Sequence, residues 1–384
     1  MAGSAGRSIV GRSAVHIAVL AFVILWTIPT LGILVSSLRD KDQIIASGWW
    51  SSFASSSQTE AGRLPASSAQ VQKGDKYVIE GNLFGDGPAR EISAFGTKSA
   101  NPTEFNAGDV ANLNDGVTLQ LNADGSFVLT SPKSFEGERG QRIYYASSAP
   151  PKFTTENYQN VLFAEGIGRS FMNSLTVTIP STIIPILIAA FAAYALAWMR
   201  FPGRALLIAV IIGLLVVPLQ MSLIPLLKLY NGVGAFFGVP VKTYLGIWLA
   251  HTGFGLPFAI YLLRSYIAGL PRELMESARI DGASDFEIFI KIVLPLSMPV
   301  LASFAIFQFL WVWNDLLVAM VFLGTDAEQI VLTARLNALL GSRGGDWEIL
   351  TTSAFVTIIV PLIVFFSLQR YFVRGLLAGS VKGG

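Results

Sequence analysis

The sequence predicts an all-α polytopic membrane protein of six transmembrane helices, with a small extracytoplasmic β domain inserted between the first two. Three observations carry this. Hydrophobic residues make up 52% of the chain and charged residues 14%, with a mean hydropathy of +0.56, far from an ordinary soluble domain. Six apolar runs reach the roughly 20 residues a helix needs to cross a bilayer. Between the first two runs lies a long polar segment, rich in Ser and Gly, with no helix-period apolar stripe.

The apolar runs cover approximately 14–36, 172–198, 205–227, 243–263, 300–322 and 351–369. Arg7 and Arg12 precede the first, as in a signal peptide. Its apolar stretch exceeds the roughly 7–15 residues of a signal core, and no small-x-small cleavage site follows, so it is read as a retained anchor. Pro180, Pro185, Pro218, Pro225 and Pro361 fall within later runs, which membrane helices tolerate when neighbours satisfy the freed carbonyls.

Loop charges set the orientation. Arg7 and Arg12, then Arg200 and Arg204, then Arg370, Arg374 and Lys382 lie in short segments without acidic residues. Positive loops stay in the cytoplasm, so both termini are expected inside. The domain layout follows: 1–40 for the N-terminal tail and first span, 41–155 for an extracytoplasmic insertion, and 156–384 for the membrane core. The core includes a polar elbow at 271–299 and a tail at 370–384.

The outer region, 37–168, holds 11 Lys/Arg against 15 Asp/Glu. Residues 51–70 read as a flexible link. Strand-like runs follow at 77–84, 90–96, 117–130 and 142–148. Asn122-Ala123-Asp124-Gly125 sits between two alternating segments as a hairpin turn. A small antiparallel β domain is expected, serving as a cap or docking surface in preference to a ligand site.

Several function classes are excluded. A net charge of +2, spread along the chain, gives no nucleic-acid footprint. With no cysteine there is no disulfide or thiolate metal site. The only histidines, His16 and His251, lie far apart in apolar surroundings and are read as packing residues. FGTKS at 95–99 lacks the G-x-x-x-x-G-K-[ST] spacing of a phosphate loop, and no G-x-S-x-G elbow or zinc-protease histidine pair occurs. No catalytic residue, metal or cofactor is expected on this chain.

The polar elbow reads as two helices around a turn. Pro271 suits the first helical position, with Glu273 in the first turn, over 271–280. Asp281-Gly282 supplies a left-handed stop. Ser284 and Glu287 form a capping box that starts a second helix, with Phe286, Ile290 and Val293 on one face before Leu294-Pro295 redirects the chain. An amphipathic connector on lipid headgroups is one reading; docking into a protein groove suits the deliberate turn better.

Glu276-Ser277-Ala278, three residues, Gly282, nine residues and Ile292-Val293-Leu294-Pro295 resemble the EAA loop of ABC importer permeases, E-A-A, three residues, G, nine residues, I-x-L-P. Ser277 departs from the usual alanine but stays small. FMNSL at 171–175, TTENYQNVL at 154–162, WNDLL at 313–317 and QRYFVRGLLAGSVKG at 369–383 resemble the sugar-importing, maltose-type branch, and within it the second permease of the pair. The insertion at roughly 50–150 departs from the usual short loop and resembles the enlarged loop of α-glucoside permeases.

The resemblance implies the type I ABC importer permease fold and import of a neutral sugar, an α-glucoside. Permeases for glycerol phosphate or other sugars share most of these motifs; the spans offer almost no Arg or Lys beyond Lys228 and Arg264, against a phosphorylated substrate. Implied partners are a second permease, an ATPase dimer holding ATP and Mg, a periplasmic sugar-binding protein and membrane lipid. Glu276, Ser277, Ala278, Asp281, Gly282, Ile292, Leu294 and Pro295 would dock the ATPase, with 271–281 as the coupling helix. Gly379, Ser380, Val381 and Lys382 of the tail would reach between the ATPases.

Asn173, Gln220, Gln308, Asn314 and Asp315 are the candidate pathway residues. An ionisable group at such depth reads as functional, and equally as interhelical bonding for the Asn314-Asp315 pair. For Asn173, Gln220 and Gln308, interhelical bonding is the better reading. An ion-driven secondary transporter would need paired intramembrane charges or inverted repeats; the sequence shows an isolated Asp315. A receptor or assembly factor with a working β domain would not need six spans.

Overall fold

The computed structural model describes residues 3–85, 90–137, 139–240 and 242–380, with the backbone course alone at 3–10, 56, 149 and 371–380. Its contacts divide the chain into two units, 1–155 and 156–384.

The first unit opens with α1 (Gly3–Ser37), a single 35-residue helix carrying Pro29. Its apolar side chains, Phe22 and Trp26 among them, are uncovered, as a lipid-facing helix requires. A short α2 (Lys41–Ala46) follows, N-capped by Asp40. Nine strands come next: β1 (Ser56–Arg63), β2 (Val71–Lys73), β3 (Lys76–Asn82), β4 (Glu91–Gly96), β5 (Phe105–Asn106), β6 (Val110–Asn112), β7 (Thr118–Leu121), β8 (Ser126–Ser131) and β9 (Arg142–Ala149). They form two antiparallel sheets, ordered β1-β9-β4-β5 and β2-β3-β8-β7-β6.

Alternation explains the domain's core. Strand β8 buries Phe127, Leu129 and Ser131 and turns the residues between them outward. Phe127 and Leu129 join Ile79, Ile92, Phe95, Leu119, Leu121 and Ile143 in one cluster. The β7–β8 hairpin turns at the anticipated place. Gly125 has φ +81°, and Asp124 accepts the Ser126 amide at 3.0 Å.

One expectation fails here. Part of the anticipated flexible link is strand β1, paired along its whole length with β9 from Ser56–Ala149 to Arg63–Arg142. Backbone pairing does not require apolar side chains, so a Ser- and Gly-rich strand escapes a search for alternation. Glu60 on β1 adds side-chain anchoring, pairing with Arg90 and accepting the Tyr145 hydroxyl. The two ends of the insertion are tied: Thr154 N–H donates to the Leu38 carbonyl at 2.6 Å, and Lys152 pairs with Asp40 at 2.6 Å.

The second unit begins with α3 (Glu156–Gln159), which runs into a π turn at Asn160–Ala164. The long helices are α4 (Ile167–Trp198), α7 (Tyr244–Ile267) and α14 (Trp347–Ser380). Among the described residues, these with α1 are the four helices long and apolar enough to cross a membrane unbroken. Small residues let α4 and α7 approach closely, Ala189, Ala193 and Ala259 being fully buried between them.

The third and fifth runs are broken. Residues 205–227 form α5 (Arg204–Leu214) and α6 (Leu219–Phe237), bent by 109°. Tightened bonds from Leu215, Val216 and Val217 back three residues end α5, and Pro218, which has no N–H to continue a ladder, stands before α6. Residues 300–322 form α11 (Met298–Trp313) and α12 (Leu317–Phe322). Asn314 turns its amide back onto the Leu310 carbonyl, and Asp315 accepts the Ala319 N–H, so both polar side chains serve the break. A last short helix, α13 (Leu332–Ser342), precedes α14.

Candidate functional site

The elbow between α7 and α11 folds into α8 (Arg272–Ile280), α9 (Asp285–Ile288), a π turn at Phe289–Val293 and α10 (Leu294–Leu296). Pro271 caps α8 from outside instead of occupying its first turn. Its ψ of 127° keeps it extended and swings the chain away from the end of α7.

The turn is a Schellman motif. Ala283 N–H donates to Ala278 O at 2.9 Å, and Gly282 N–H donates to Arg279 O at 3.1 Å. Gly282 takes φ +84°, which an L side chain with a Cβ resists. The capping box is complete: the Ser284 hydroxyl accepts from Glu287 N–H, and Glu287 Oε2 accepts from Ser284 N–H at 3.0 Å. Lys291 adds an ion pair to Glu287 at 3.0 Å. Together the Ser284 N–H, first in weight, Lys291 and the Ser284 hydroxyl hold the Glu287 carboxyl at a pKa of about 2.

The elbow is seated from one side and bare on the other. Met275, Ile288, Phe289 and Val293 enter the core shared with α4 and α7. Phe289 packs on Phe191 and Tyr194, with centroids at 4.7 and 5.4 Å. Outward stand Ile280 at 86% exposure, Phe286 at 64% and Leu274 at 43%. The expected grouping of Phe286, Ile290 and Val293 on one face fails. Phe286 and Ile290 are exposed and Val293 is buried, because the π turn shifts the register by inserting a residue.

The motif residues divide by task. Ala278, Gly282, Ile292 and Leu294 build the elbow: Ala278 and Gly282 carry the turn, while Ile292 and Leu294 pack on the core. Pro295 sits in the first turn of α10, and the Ser277 carbonyl accepts from Asp281 N–H. Glu276 is exposed, and its carboxylate has no partner among the described residues. In the tail, Gly379 and Ser380 end α14, while Val381 and Lys382 lie outside the described residues.

The five candidate pathway residues do not form one constellation. Asn173 is bound on both sides of its amide, donating to Glu328 O and Ile330 O and accepting from the Tyr244 hydroxyl. Gln220 is exposed on α6. Buried Gln308 donates to Ser181 O at 3.2 Å, and its own carbonyl oxygen accepts nothing among the described residues. It borders an apolar cavity of about 560 Å³ with Phe254, Phe258 and Trp311. Asn314 and Asp315 hold the break before α12. Asp315 is not isolated: buried His251 places Nε2 3.9 Å from its carboxylate. That distance is outside direct hydrogen-bond range. Nothing in the sequence links positions 251 and 315; only the packing of α7 against α11 and α12 does.

Residues 169–377, more than half of the chain, match the family described as the binding-protein-dependent transport system inner membrane component. The chain belongs to this family. It is 69% identical over 372 residues, 97% of each chain, to the alpha-glucoside transport system permease protein AglG of Rhizobium meliloti. To the osmoprotective compounds uptake permease protein GgtD of Synechocystis sp. it is 42% identical over 368 residues, 96% of this chain and 91% of that one. Both matches run through the β insertion. Among solved structures, a bacterial ABC transporter involved in import of the acidic polysaccharide alginate aligns at a TM-score of 0.50 and 24% identity, covering 59% of this chain and 82% of that one. That likeness concerns the fold. The chain is thus a multi-pass inner-membrane permease of an ABC importer, with ATP hydrolysis on a separate subunit.

Proposed function

We propose that this permease is one of two in a heterodimeric importer that carries a neutral sugar, an α-glucoside such as a disaccharide, into the cytoplasm. The observation that carries this reading is the 69% identity, sustained over 97% of the chain, to a relative named for alpha-glucoside transport. A periplasmic sugar-binding protein delivers the substrate, and both termini face the cytoplasm, following the loop charges.

In this reading α8 is the coupling helix. An ATPase dimer accepts the bare ledge of Leu274 and Ile280, while Met275 on the opposite side anchors the helix to the permease core. Glu276, free of partners among the described residues, faces the ATPase, and residues 379–382 of the tail reach between the two ATPases. ATP and Mg belong to that partner.

Uptake of labelled sucrose, maltose and trehalose by cells with and without this chain tests the substrate. Loss of at least one on deletion is the expected result; loss of none overturns the α-glucoside assignment. The 42% identical relative named for osmoprotective compounds supports a second reading, a small compatible solute. Growth rescue by such a solute at high salt, dependent on this chain, would favour it.

A further inference from the structure

The β insertion contains a cleft of about 400 Å³, floored by the domain's own core and rimmed by polar groups. Ile79 and Leu129 close it from below, at 2% and 3% exposure. The half-buried rings of Phe105 and Phe135 line it, packed against that same core. Around the mouth stand Lys98, Glu104, Asn112, Asn114, Arg139 and Gln141. Apart from Gln141, which donates to the Arg142 carbonyl, these side chains have no hydrogen-bond or ion-pair partner among the described residues.

The walls are fastened. Leu64 N–H donates to Gln141 O at 2.9 Å, and Ser67 donates to Gly137 O at 2.6 Å. Phe135 N–H donates to Gln70 Oε1 at 2.8 Å. Gly140 lies so close to the Leu64 carbonyl that a Cβ there would overlap its oxygen. The sequence scatters the rim residues over 98–141, which hides their convergence; three separate connections bring them to one opening.

The chemistry selects a ligand class. Lys98 and Arg139 are balanced by Glu104 and Glu136, so an ionic ligand meets repulsion along with attraction. A neutral polyol meets no such repulsion: its vicinal hydroxyls donate to carboxylate and amide oxygens while accepting from ammonium, guanidinium and amide N–H groups. The apolar C–H face of a sugar ring has Phe105 and Phe135 to lie on, while the mostly polar lining offers its hydroxyls many partners. The volume falls within the roughly 300–1,000 Å³ of such sites.

We propose that this cleft is a carbohydrate-binding site for a neutral oligosaccharide of the imported class, carried by the insertion itself. The substrate class rests on the α-glucoside reading above. The proposal takes the ligand-site reading of the insertion over the expected cap or docking surface.

The test uses the full chain in lipid nanodiscs, with calorimetric titration of trehalose, sucrose, maltose, maltotriose and β-linked cellobiose. It compares wild type with Asn112→Ala/Asn114→Ala, both exposed positions, and checks the fold of the variant by its thermal transition. The expected result is binding of at least one α-linked sugar, weakened tenfold or more in the variant at an unchanged transition. A variant that binds as well as wild type overturns the proposal, as does a wild type that binds none of the panel. If the variant loses uptake while wild type shows no sugar binding, the rim docks a protein and the carbohydrate reading falls. Uptake in cells is read separately: intact α-glucoside uptake without nanodisc binding overturns this inference alone, whereas absent uptake of all three disaccharides overturns the importer's substrate assignment.

Discussion

The hydroxyl of Tyr194, on the spanning helix α4, donates to the carboxylate of Asp285, at the start of α9, across 3.3 Å. Arg279 of α8 holds the same carboxylate oxygen at 3.1 Å. One acid therefore joins the spanning helix to both halves of the elbow, and Phe289 packs at a tilt against Tyr194. In the coupling reading proposed above, a displacement of α8 by the docked ATPase would pass to α4 through this junction. Tyr194→Phe should keep the ring packing and remove the bond, a loss of about 1 kcal/mol or roughly fivefold in an equilibrium. In a reconstituted complex, stimulation of ATP hydrolysis by sugar-loaded binding protein is expected to drop while the subunits still co-purify. Full stimulation would show that the junction transmits nothing.

Gly282→Val should damage the elbow itself. A β-branched residue at φ +84° costs about 1–3 kcal/mol and pulls Ala283 away from its bond to Ala278. The amount of ATPase retained on the purified permease is expected to fall severalfold. Gly282→Asn, which tolerates the left-handed region, should lie near wild type. Equal retention by the valine variant would argue against the turn's role.

The capping box also makes a prediction about acidity. A carboxyl held near 2 in the folded elbow, below its ordinary 4.5, favours the fold above the ordinary value. That contribution is lost as the pH falls through the window from 4.5 to about 2. Hydrogen-exchange protection of the 284–291 peptide should therefore be flat from neutral pH to about 5 and decline below 4.5. Glu287→Gln should show no such decline.

Deleting residues 60–148 with a short Gly/Ser bridge should leave a permease that inserts and assembles. The bond between Leu38 and Thr154 and the Asp40–Lys152 pair already hold the two ends of the insertion together. Uptake at low sugar concentration is expected to fall. Unchanged uptake would show that the insertion takes no part in capturing substrate.

Topology is checked with reporters. A fusion after residue 100 should be active only outside the cytoplasm, and a fusion at the C-terminus only inside. Reports from the same side at both positions would refute the orientation derived from Arg7, Arg12, Arg200, Arg204 and Arg370.

Local chemistry made the elbow readable in advance. Proline, glycine, serine and glutamate each act over three or four residues, so Pro271, Gly282, Ser284 and Glu287 marked the start, turn and restart, with only Pro271 displaced by one position. The π turn at Phe289–Val293 carries no such mark, and the buried face moved with it. Strand β1 was invisible because its pairing is made by backbone, and the breaks in the third and fifth runs because hydropathy counts apolar residues without regard to direction. The Tyr194–Asp285 and His251–Asp315 juxtapositions, like the rim of the β cleft, depend on residues tens of positions apart, which no local rule connects.

The bare ledge of Leu274, Ile280 and Phe286 also bears on stoichiometry. A copy lacking its ATPase leaves three large apolar side chains facing water, and anything that binds only the folded form stabilises it by mass action. If the ATPase covers this ledge as proposed, the lifetime of this permease is coupled to the supply of that partner. Cells making it in excess should clear the surplus, and raising the ATPase level should rescue it.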